Sequence, residues 1–423
     1  MTELPGRPTA DLLADLRAGR LTPGALAEAC LDRVTAREGV VRAFAEMDEG
    51  HWRVGAARAA ADSPLAGLPV GVKDVLDTAD LPTGYGSPIW TGHRPRADAA
   101  CVALARAAGG VVAGKTVTTE FATRIPGATT NPHDPSRTPG GSSQGSAAGV
   151  AAGFFPMAFG TQTAGSIIRP AAFCGVVGFK PSHGLIHRGG MRMMSETLDT
   201  IGAIGRDVLA CALLAGACAG QDWAAGLDRS VPAPRIAFIP GPAESVLEES
   251  TRALLDRAAE ALSRAGATVR RATLPPAVLA AVAAHPVVMQ GETRHALAWE
   301  LSAAPEGLSD TLRERMAWAA GLPRDALPAA RQTLSLARDA FADFMADHDL
   351  VLTASAPGEA PVGLAATGDP ACNLLWTALH APCVTLPAGR GPNGMPLGVQ
   401  LVGAVGSDAA TLARSAWAAT ALG

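Results

Sequence analysis

Residues 139–170 read PGGSSQGSAAGVAAGFFPMAFGTQTAGSIIRP and carry the most distinctive chemistry of the chain. Two serines framed by glycine, Ser142 and Ser166, flank an alanine-rich run and a short apolar run. Glycine beside a serine lets the backbone approach a ligand closely. Serine is a weak nucleophile until a base takes its proton. The stretch therefore predicts a reactive serine whose base must be found elsewhere.

The composition indicates a well-packed globular protein. Of the 423 residues, 48% are hydrophobic and 17% are charged, which excludes a disordered chain. The net charge of −4 and the pI near 6.1 argue against binding to nucleic acid or to an anionic membrane. The length allows two to three average domains or one large α/β domain, and no clear linker interrupts the chain.

Compartment and membrane association are predicted from three features. The opening MTELPGRPTADLLADLR is charged and mixed, unlike a secretory signal. The most apolar run, 147–159, is too short to cross a bilayer and contains Pro156. Seven cysteines form no CxxC pair and have apolar neighbours, which favours buried free thiols in a reducing cytoplasm.

The periodicity of apolar residues predicts alternating helices and strands. An N-terminal helical region extends to about residue 60, and Thr22-Pro23 is typical of a helix start. Predicted helices include 142–153, 167–174, 207–220, 250–266 and most of 276–347; predicted strands include 44–47, 67–78, 155–160, 176–180, 235–241, 267–274, 349–355 and 395–403. A core at about 61–210 and a remainder at 211–423 follow the N-terminal region. This alternation indicates an α/β protein.

Two short motifs suggest other chemistries. Residues 109–116 fit G-x-x-x-x-G-K-[ST], but a helix precedes this segment and a strand follows, the reverse of a phosphate loop. Residues 141–145 fit G-x-S-x-G, which would make Ser143 the nucleophile. A proline-broken loop precedes that motif where a nucleophile elbow needs a strand, so we expect neither motif to act in its usual way.

A lysine is a better candidate base than a histidine. His183 and His187 stand four residues apart, but Gly184 disfavours a helix between them, so loop histidines are expected rather than metal ligands. A lysine of ordinary pKa is neutral only about once in 2,500 molecules at pH 7, and burial removes much of that cost. Lys73 lies in an apolar predicted strand, whereas the competitors Lys115 and Lys180 have less apolar surroundings in the sequence. A solvent-facing Lys73 remains an alternative.

These segments resemble the amidase signature family. The resemblance rests on GLPVGVKD (67–74), PGGSSQGSAAGVAAG (139–153) and GTQTAGSIIRPAAFCGVVGFKPS (160–182), with weaker matches at 195–208 and 376–403. It implies that residues 1–423 form a single α/β domain with a large twisted mixed β-sheet flanked by helices on both faces. It also implies hydrolysis of small amides without a metal or an organic cofactor.

The resemblance assigns roles residue by residue. Ser166 matches the acyl-forming nucleophile, Ser142 the bridging serine of a cis peptide bond, and Lys73 the base. The backbone N–H groups of Thr163, Ala164, Gly165 and Ser166 match the oxyanion hole. Ala164 departs from a usual glycine, Gln162 from a frequent aspartate and Gln144 from a frequent glycine or serine.

Arg169 is the candidate substrate-binding residue. It lies three residues past Ser166, where a guanidinium could hold a substrate carboxylate. The alternative is a structural arginine bonded to loop carbonyls. The Arg169-Pro170 pattern is similar to the small-substrate branch that includes malonamidase.

The expected function is hydrolysis of a small carboxylic amide to a carboxylate and ammonia or an amine. The alternatives are the amidotransferase subunit of a tRNA-dependent amidation complex and a non-catalytic protein that binds small ligands. Expected partners are a small amide and, by family analogy, a second copy of the chain, with no nucleic acid and no membrane.

Overall fold

The computed structural model describes residues 4–227 and 231–423. Across these two ranges the chain forms eleven strands: β1 (Phe44–Glu46), β2 (Pro69–Lys73), β3 (Val111–Thr116), β4 (Met157–Gln162), β5 (Val177–Lys180), β6 (Thr200–Gly205), β7 (Arg235–Phe238), β8 (Thr268–Arg271), β9 (Leu350–Ala354), β10 (Cys383–Arg390) and β11 (Pro396–Val402). The same ranges contain fourteen α-helices: α1 (Thr9–Arg17), α2 (Pro23–Val41), α3 (Glu49–Arg58), α4 (Ala100–Ala107), α5 (Gln144–Ala152), α6 (Ile168–Cys174), α7 (Val208–Ala219), α8 (Glu249–Arg264), α9 (Pro276–Ala296), α10 (Ala298–Ala303), α11 (Asp310–Ala320), α12 (Ala326–Met345), α13 (Leu374–Ala378) and α14 (Asp408–Leu422).

All eleven strands join one mixed sheet in the order β1-β3-β2-β4-β6-β5-β10-β11-β9-β7-β8. The pairs β2/β3, β2/β4, β7/β8 and β7/β9 are parallel, and the remaining pairs are antiparallel. The predicted large mixed sheet of an α/β protein is therefore confirmed.

Helices cover both faces of the sheet. On β7 the side chains alternate, so that Ile236 and Phe238 join one apolar cluster while Ala237 joins another. Helices α7, α8 and α14 contribute to the first cluster, and α9 and α12 to the second. Successive side chains of a strand point to opposite faces, so each cluster marks one covered face.

Local sequence signals place several elements well. The Thr22 side chain accepts a hydrogen bond from the N–H of Ala25 at 3.1 Å, and Pro23 opens α2, as predicted from the pair. Strand β3 follows helix α4, so the 109–116 motif lacks the order of a phosphate loop. The periodicity of apolar residues does not predict strands β6 and β10, because their short sequences contain glycine or proline. Both strands lie in the weaker matches of the family resemblance, at 195–208 and 376–403.

The cysteines and the helices bear on two further expectations. All seven cysteines are buried free thiols, as predicted. Within the described ranges, none of the helices combines the length and the apolar character that a membrane span needs.

The order of the strands determines where a site forms. The parallel neighbours β2 and β4 end at the same edge of the sheet, with Val72 paired to Phe159. Lys73 ends β2, and residues 163–166 follow the end of β4 directly. Open α/β sheets bind ligands at the carboxyl ends of their strands, so we expect the functional site at this edge.

Close packing of α5 makes a glycine necessary at one position. A Cβ on Gly145 would lie 2.2 Å from the carbonyl oxygen of Ala43 and 2.4 Å from the backbone nitrogen of Val117. Gly145→Ala should therefore lower the thermal unfolding midpoint, by an overpacking cost of roughly 1–3 kcal/mol, although alanine favours a helix. The matched control is the exposed Gly39 of α2, where an added Cβ meets no atom within 4 Å. Gly39→Ala should raise stability by roughly 0.5–1 kcal/mol. A stable Gly145→Ala protein would contradict the packing described here.

Candidate active site

Lys73 is fully buried at the end of β2 and contacts two hydroxyl groups. Its Nζ donates to Ser142 Oγ at 2.7 Å and to Thr161 Oγ1 at 2.7 Å. Burial lowers the pKa of Lys73 from 10.5 to about 7, and the charge of Asp199 acts in the opposite direction. The alternative of a solvent-facing Lys73 is wrong, because the side chain has no exposed surface. Near neutral pH this amine is therefore able to accept a proton.

Two other lysines are equally buried but differently bound. Lys115 Nζ lies 3.2 Å from Asp74 Oδ1 and also donates to Thr83, so a carboxylate balances its charge. Lys180 Nζ donates to the carbonyl oxygen of Pro181 at 2.9 Å. All three lysines have no exposed surface, so burial alone does not single out Lys73. The contact between Lys73 and Ser142 makes the distinction.

Ser142 follows a cis peptide bond, which the structure places between Gly141 and Ser142. The carbonyl oxygen of Gly141 accepts a hydrogen bond from Arg169 Nη2 at 2.7 Å. Arg169 also donates from Nε to the carbonyl oxygen of Thr367 at 2.8 Å. Arg169 thus supports loop carbonyls, while its buried Nη1 has no hydrogen-bond partner in the described chain. The structural interpretation of Arg169 is supported, and one guanidinium nitrogen remains for a ligand.

Ser166 ends a short loop whose four carbonyl groups are all held from outside. The loop consists of Thr163, Ala164, Gly165 and Ser166, and we refer to it as the 163–166 loop. Their carbonyl oxygens accept, in that order, from His285 Nε2 (2.9 Å), Thr377 Oγ1 (2.7 Å), the N–H of Arg169 (3.0 Å) and the N–H of Ser143 (3.3 Å).

The N–H groups of the same loop are free. Within 4–227 and 231–423, no hydrogen bond uses the N–H groups of residues 163–166. Ala164 is not among the residues with positive φ, so its replacement of a glycine leaves the backbone in an ordinary conformation. Carbonyls held on one side and N–H groups unpaired on the other are the arrangement that an oxyanion needs.

Gln162 and Asp199 fix the two ends of the 163–166 loop. Gln162 Oε1 accepts from the N–H groups of Ile167 at 2.8 Å and Ile168 at 3.0 Å, where α6 begins. Asp199 Oδ1 accepts from Thr163 Oγ1 at 2.5 Å, and burial raises the pKa of Asp199. Glutamine therefore provides the acceptor at position 162 in place of the frequent aspartate.

The Ser143 side chain is hydrogen-bonded to the backbone of β4. Its Oγ donates to the carbonyl oxygen of Thr161 at 3.3 Å and accepts from the N–H of Thr161 at 3.3 Å. The side chain is fully buried, and no strand leads into it. Ser166, in contrast, lines a cavity. The G-x-S-x-G interpretation of Ser143 therefore has no support in the geometry.

The histidines lie outside this site, except for His285. His183 stacks on His380 with ring centroids 4.0 Å apart, and His187 Nδ1 accepts from the N–H of Gly189. Among the residues described, no group of three or more His, Cys, Asp and Glu side chains is arranged to hold a metal ion. The pair His183 and His187 behaves as predicted for loop histidines.

Comparison with known proteins identifies the family. The family model described as Amidase matches residues 25–412. The chain belongs to the amidase signature family. It is 33% identical over 98% of its length to a glutamyl-tRNA(Gln) amidotransferase subunit from Chloroflexus aggregans (strain MD-66 / DSM 9485), of which 96% is covered.

Solved structures agree with this placement in the amidase signature family. A native peptide amidase from Stenotrophomonas maltophilia superposes with a TM-score of 0.84 at 27% identity, covering 99% of this chain and 96% of that one. A chain from an inhibitor-bound vestigial complex, related to the origins of an s-triazine catabolic enzyme, gives a TM-score of 0.90 at 27% identity, covering 97% and 98%. The protein is therefore an enzyme that hydrolyses amides.

Sequence reasoning missed three residues that hold the 163–166 loop of this amidase. His285 lies on α9, Thr377 on α13, and Asp199 just before β6. Each is separated from the loop by more than 30 residues. Asp199 and Thr377 lie in the weaker matches at 195–208 and 376–403, but no pattern in those segments indicates a contact with the loop. The sequence signal for His285 was its position as a polar residue in an otherwise apolar stretch of a predicted helix.

The contact between Thr377 and Ala164 offers a direct test of the loop. Thr377→Val keeps the shape of the side chain but removes the donor to the Ala164 carbonyl. We expect kcat to fall about 10- to 100-fold with little change in KM, because a misoriented N–H weakens binding of the transition state alone. Thr420→Val removes an exposed hydroxyl that bonds only within α14 and should have no effect. A larger change in KM than in kcat would contradict this role.

Proposed function

We propose that the protein hydrolyses the C–N bond of a small carboxylic amide through a Ser166 acyl-enzyme. The observation that carries this proposal is the 2.7 Å hydrogen bond from the buried Lys73 Nζ to Ser142 Oγ. Ser166 follows later in the chain, in the 163–166 loop after β4. Neutral Lys73 takes a proton from Ser142 while Ser142 takes the proton of Ser166. Ser166 Oγ then bonds to the amide carbon.

The remaining steps use the same groups. The N–H groups of residues 163–166 stabilise the negative charge that develops on the carbonyl oxygen. The C–N bond breaks as the proton returns through Ser142 to the leaving nitrogen, which departs as ammonia or an amine. Water then gives a proton through Ser142 to Lys73 and attacks the acyl carbon. The bond between that carbon and Ser166 Oγ breaks, the proton returns through Ser142 to Ser166, and the carboxylate leaves. None of these steps requires a metal or an organic cofactor.

The relay from Ser166 to Ser142 is proposed to form with substrate. In the described chain, Ser166 Oγ forms no hydrogen bond with Ser142, although the N–H of Ser143 donates to the carbonyl oxygen of Ser166. Catalytic hydrogen bonds are often long in the absence of substrate and tighten in the reacting complex. We therefore infer that a bound amide brings the two hydroxyls together.

The second candidate is an amidotransferase subunit of a tRNA-dependent complex. It is favoured by the full-length match to such a subunit. That alignment spans 476 positions against 423 residues here, so the relative contains segments that this chain lacks. The net charge of −4 also offers little attraction to tRNA. Ammonia release from glutamine that requires tRNA and copurifying subunits would favour this candidate over independent hydrolysis.

We further infer that the protein is a cytoplasmic enzyme and that its chain forms one amidase domain. We also infer that it belongs to the small-substrate branch of the family, which includes malonamidase. Its seven buried free thiols suit a reducing compartment. A homodimer is the assembly proposed by family analogy, and sedimentation velocity would measure it.

Labelling distinguishes the two neighbouring serines. A serine-reactive fluorophosphonate should add one label, and mass spectrometry should place it on Ser166, because Ser143 is buried and hydrogen-bonded. Ser166→Ala should prevent labelling while the protein stays folded. A label found on Ser143 would contradict the assignment.

Replacing Lys73 tests the proposed base. Lys73→Met fills the same space without an amine and should reduce kcat/KM by about 10²- to 10⁴-fold, the usual contribution of a general base. The matched control is Lys180→Met, which removes another fully buried lysine that does not contact Ser142. The control should retain most activity. Equal losses in both variants, at unchanged thermal midpoints, would rule out Lys73 as the base.

The pH dependence of kcat/KM follows from the lowered pKa of Lys73. The amine is neutral above a pKa of about 7 and protonated below it. Activity should therefore rise through pH 7 to a plateau and fall about tenfold for each pH unit below. A profile that stays flat from pH 5 to 8 would show that no group of this pKa controls the reaction.

A further inference from the structure

Three arginines surround the small cavity above Ser166. The cavity measures about 50 Å³ and is lined by Arg124, Arg169 and Arg315 together with Thr163, Ala164 and Ser166. No aspartate or glutamate belongs to its lining. The reacting serine is therefore next to a small and strongly positive space.

Arg124 and Arg315 belong to different segments that are joined firmly. Arg124 lies in the loop after β3, and Arg315 lies on α11. The Glu120 carboxylate accepts hydrogen bonds from both the N–H and the Oγ of Ser309. Ser309 Oγ in turn accepts from the N–H of Leu312, which caps the start of α11. These bonds hold the two arginine-bearing segments together.

Backbone conformation directs the Arg124 loop toward the cavity. Phe121 and Ala122 have φ angles of 43° and 56°, in the left-handed region that residues other than glycine rarely adopt. Such a conformation is strained and is concentrated at functional sites. Phe121 is fully buried against Leu312 and Met316 of α11, which stabilises this turn. The residues that follow it, 122–124, line the cavity.

No carboxylate balances Arg124 or Arg315. Neither arginine forms an ion pair or a hydrogen bond with the described part of the chain. Burial and, to a smaller extent, the charge of Arg124 lower the pKa of Arg315 to about 10. Burial also lowers the pKa of Arg169 to about 10; the charge of Arg124 acts in the same direction, and the exposed Asp369 opposes it. Arg169 is buried, Arg315 is half-buried and Arg124 is exposed. Like charges that line one cavity repel each other, and a bound anion relieves that repulsion.

We propose that Arg124 and Arg315, together with the unpaired Nη1 of Arg169, bind a carboxylate carried by a short amide substrate. This inference rests on the proposed amidase function and names its substrate class, an acidic amide such as the monoamide of a short dicarboxylic acid. Arginine suits this role because its planar guanidinium pairs with a carboxylate through two hydrogen bonds. Thr163 and Ala164 of the 163–166 loop line the same cavity as the three arginines. A substrate whose carboxylate binds the arginines and whose amide carbonyl binds the loop must therefore be short.

The first experiment compares acidic and neutral amides of matched length. Malonamate, succinamate and glutaramate are each paired with the neutral amide of the same chain length. Arg315→Gln and Arg124→Gln should each lower kcat/KM for the preferred acidic amide about 10- to 100-fold, with a loss at least tenfold smaller for its neutral partner. Arg315→Lys should recover part of the loss. Equal losses on both substrates, or no preference of the wild type for any acidic amide, would overturn the inference.

The matched control is Arg324→Gln. Arg324 is exposed in the turn after α11, and no hydrogen bond or ion pair joins it to the described residues. The substitution changes the net charge by the same amount without touching the cavity, so both substrate classes should be unaffected. A loss in this variant equal to that of Arg315→Gln would show a general charge effect and overturn the inference.

Binding of dicarboxylates separates this inference from the proposed function. Calorimetry should detect malonate, succinate or glutarate binding to the wild type, and Arg124→Gln and Arg315→Gln should weaken it at least tenfold. Such binding in a protein that hydrolyses no amide would support the anion site and contradict the proposed reaction. Hydrolysis of neutral amides without dicarboxylate binding would support the reaction and overturn the anion site.

Discussion

A fully buried lysine with no carboxylate in contact is the constraint on which this site depends. Among the described residues, the Lys73 amine forms hydrogen bonds only with hydroxyl and carbonyl oxygens, from Ser142 and Thr161. Burying an ammonium group without a counterion is costly, and the lysine responds with a pKa near 7. Strand β2 lies inside the sheet between β3 and β4, and all five of its residues are buried. The same enclosure that destabilises the charged amine makes the neutral amine available as a base.

The 163–166 loop shows how a backbone is prepared for a charge that it does not yet carry. Four carbonyl oxygens are bound by His285, Thr377, Arg169 and Ser143, which come from separate parts of the chain. Fixing the carbonyl of one residue also fixes the N–H of the next residue, because both groups belong to the same planar peptide unit. The N–H groups therefore need no reorganisation when negative charge develops.

Arg169 connects the two halves of the site. It supports the carbonyl of Gly141, next to Ser142, and lies on the helix that begins directly after Ser166. The family comparison establishes amide hydrolysis, and relatives act in different settings, from a peptide amidase to an amidotransferase subunit. The walls of the cavity, rather than the lysine and the serines, are where this chain is expected to choose its substrate. Arg124 and Arg315 are the residues in those walls whose charge is not balanced.

Much of this protein was readable from its sequence, whereas only the tertiary structure decided which groups meet. Alternating periodicities of apolar residues predicted the α/β fold, and the stretches around Lys73, Ser142 and Ser166 carried the family resemblance, because such signals act between neighbours in the chain. His285 and Thr377 reach the 163–166 loop across more than 120 residues of chain, and no local pattern encodes such a contact. The two uses of Arg169 were left open by the sequence for the same reason. Local sequence determines the conformation of short segments, whereas hydrogen bonds between distant segments exist only once the chain has folded.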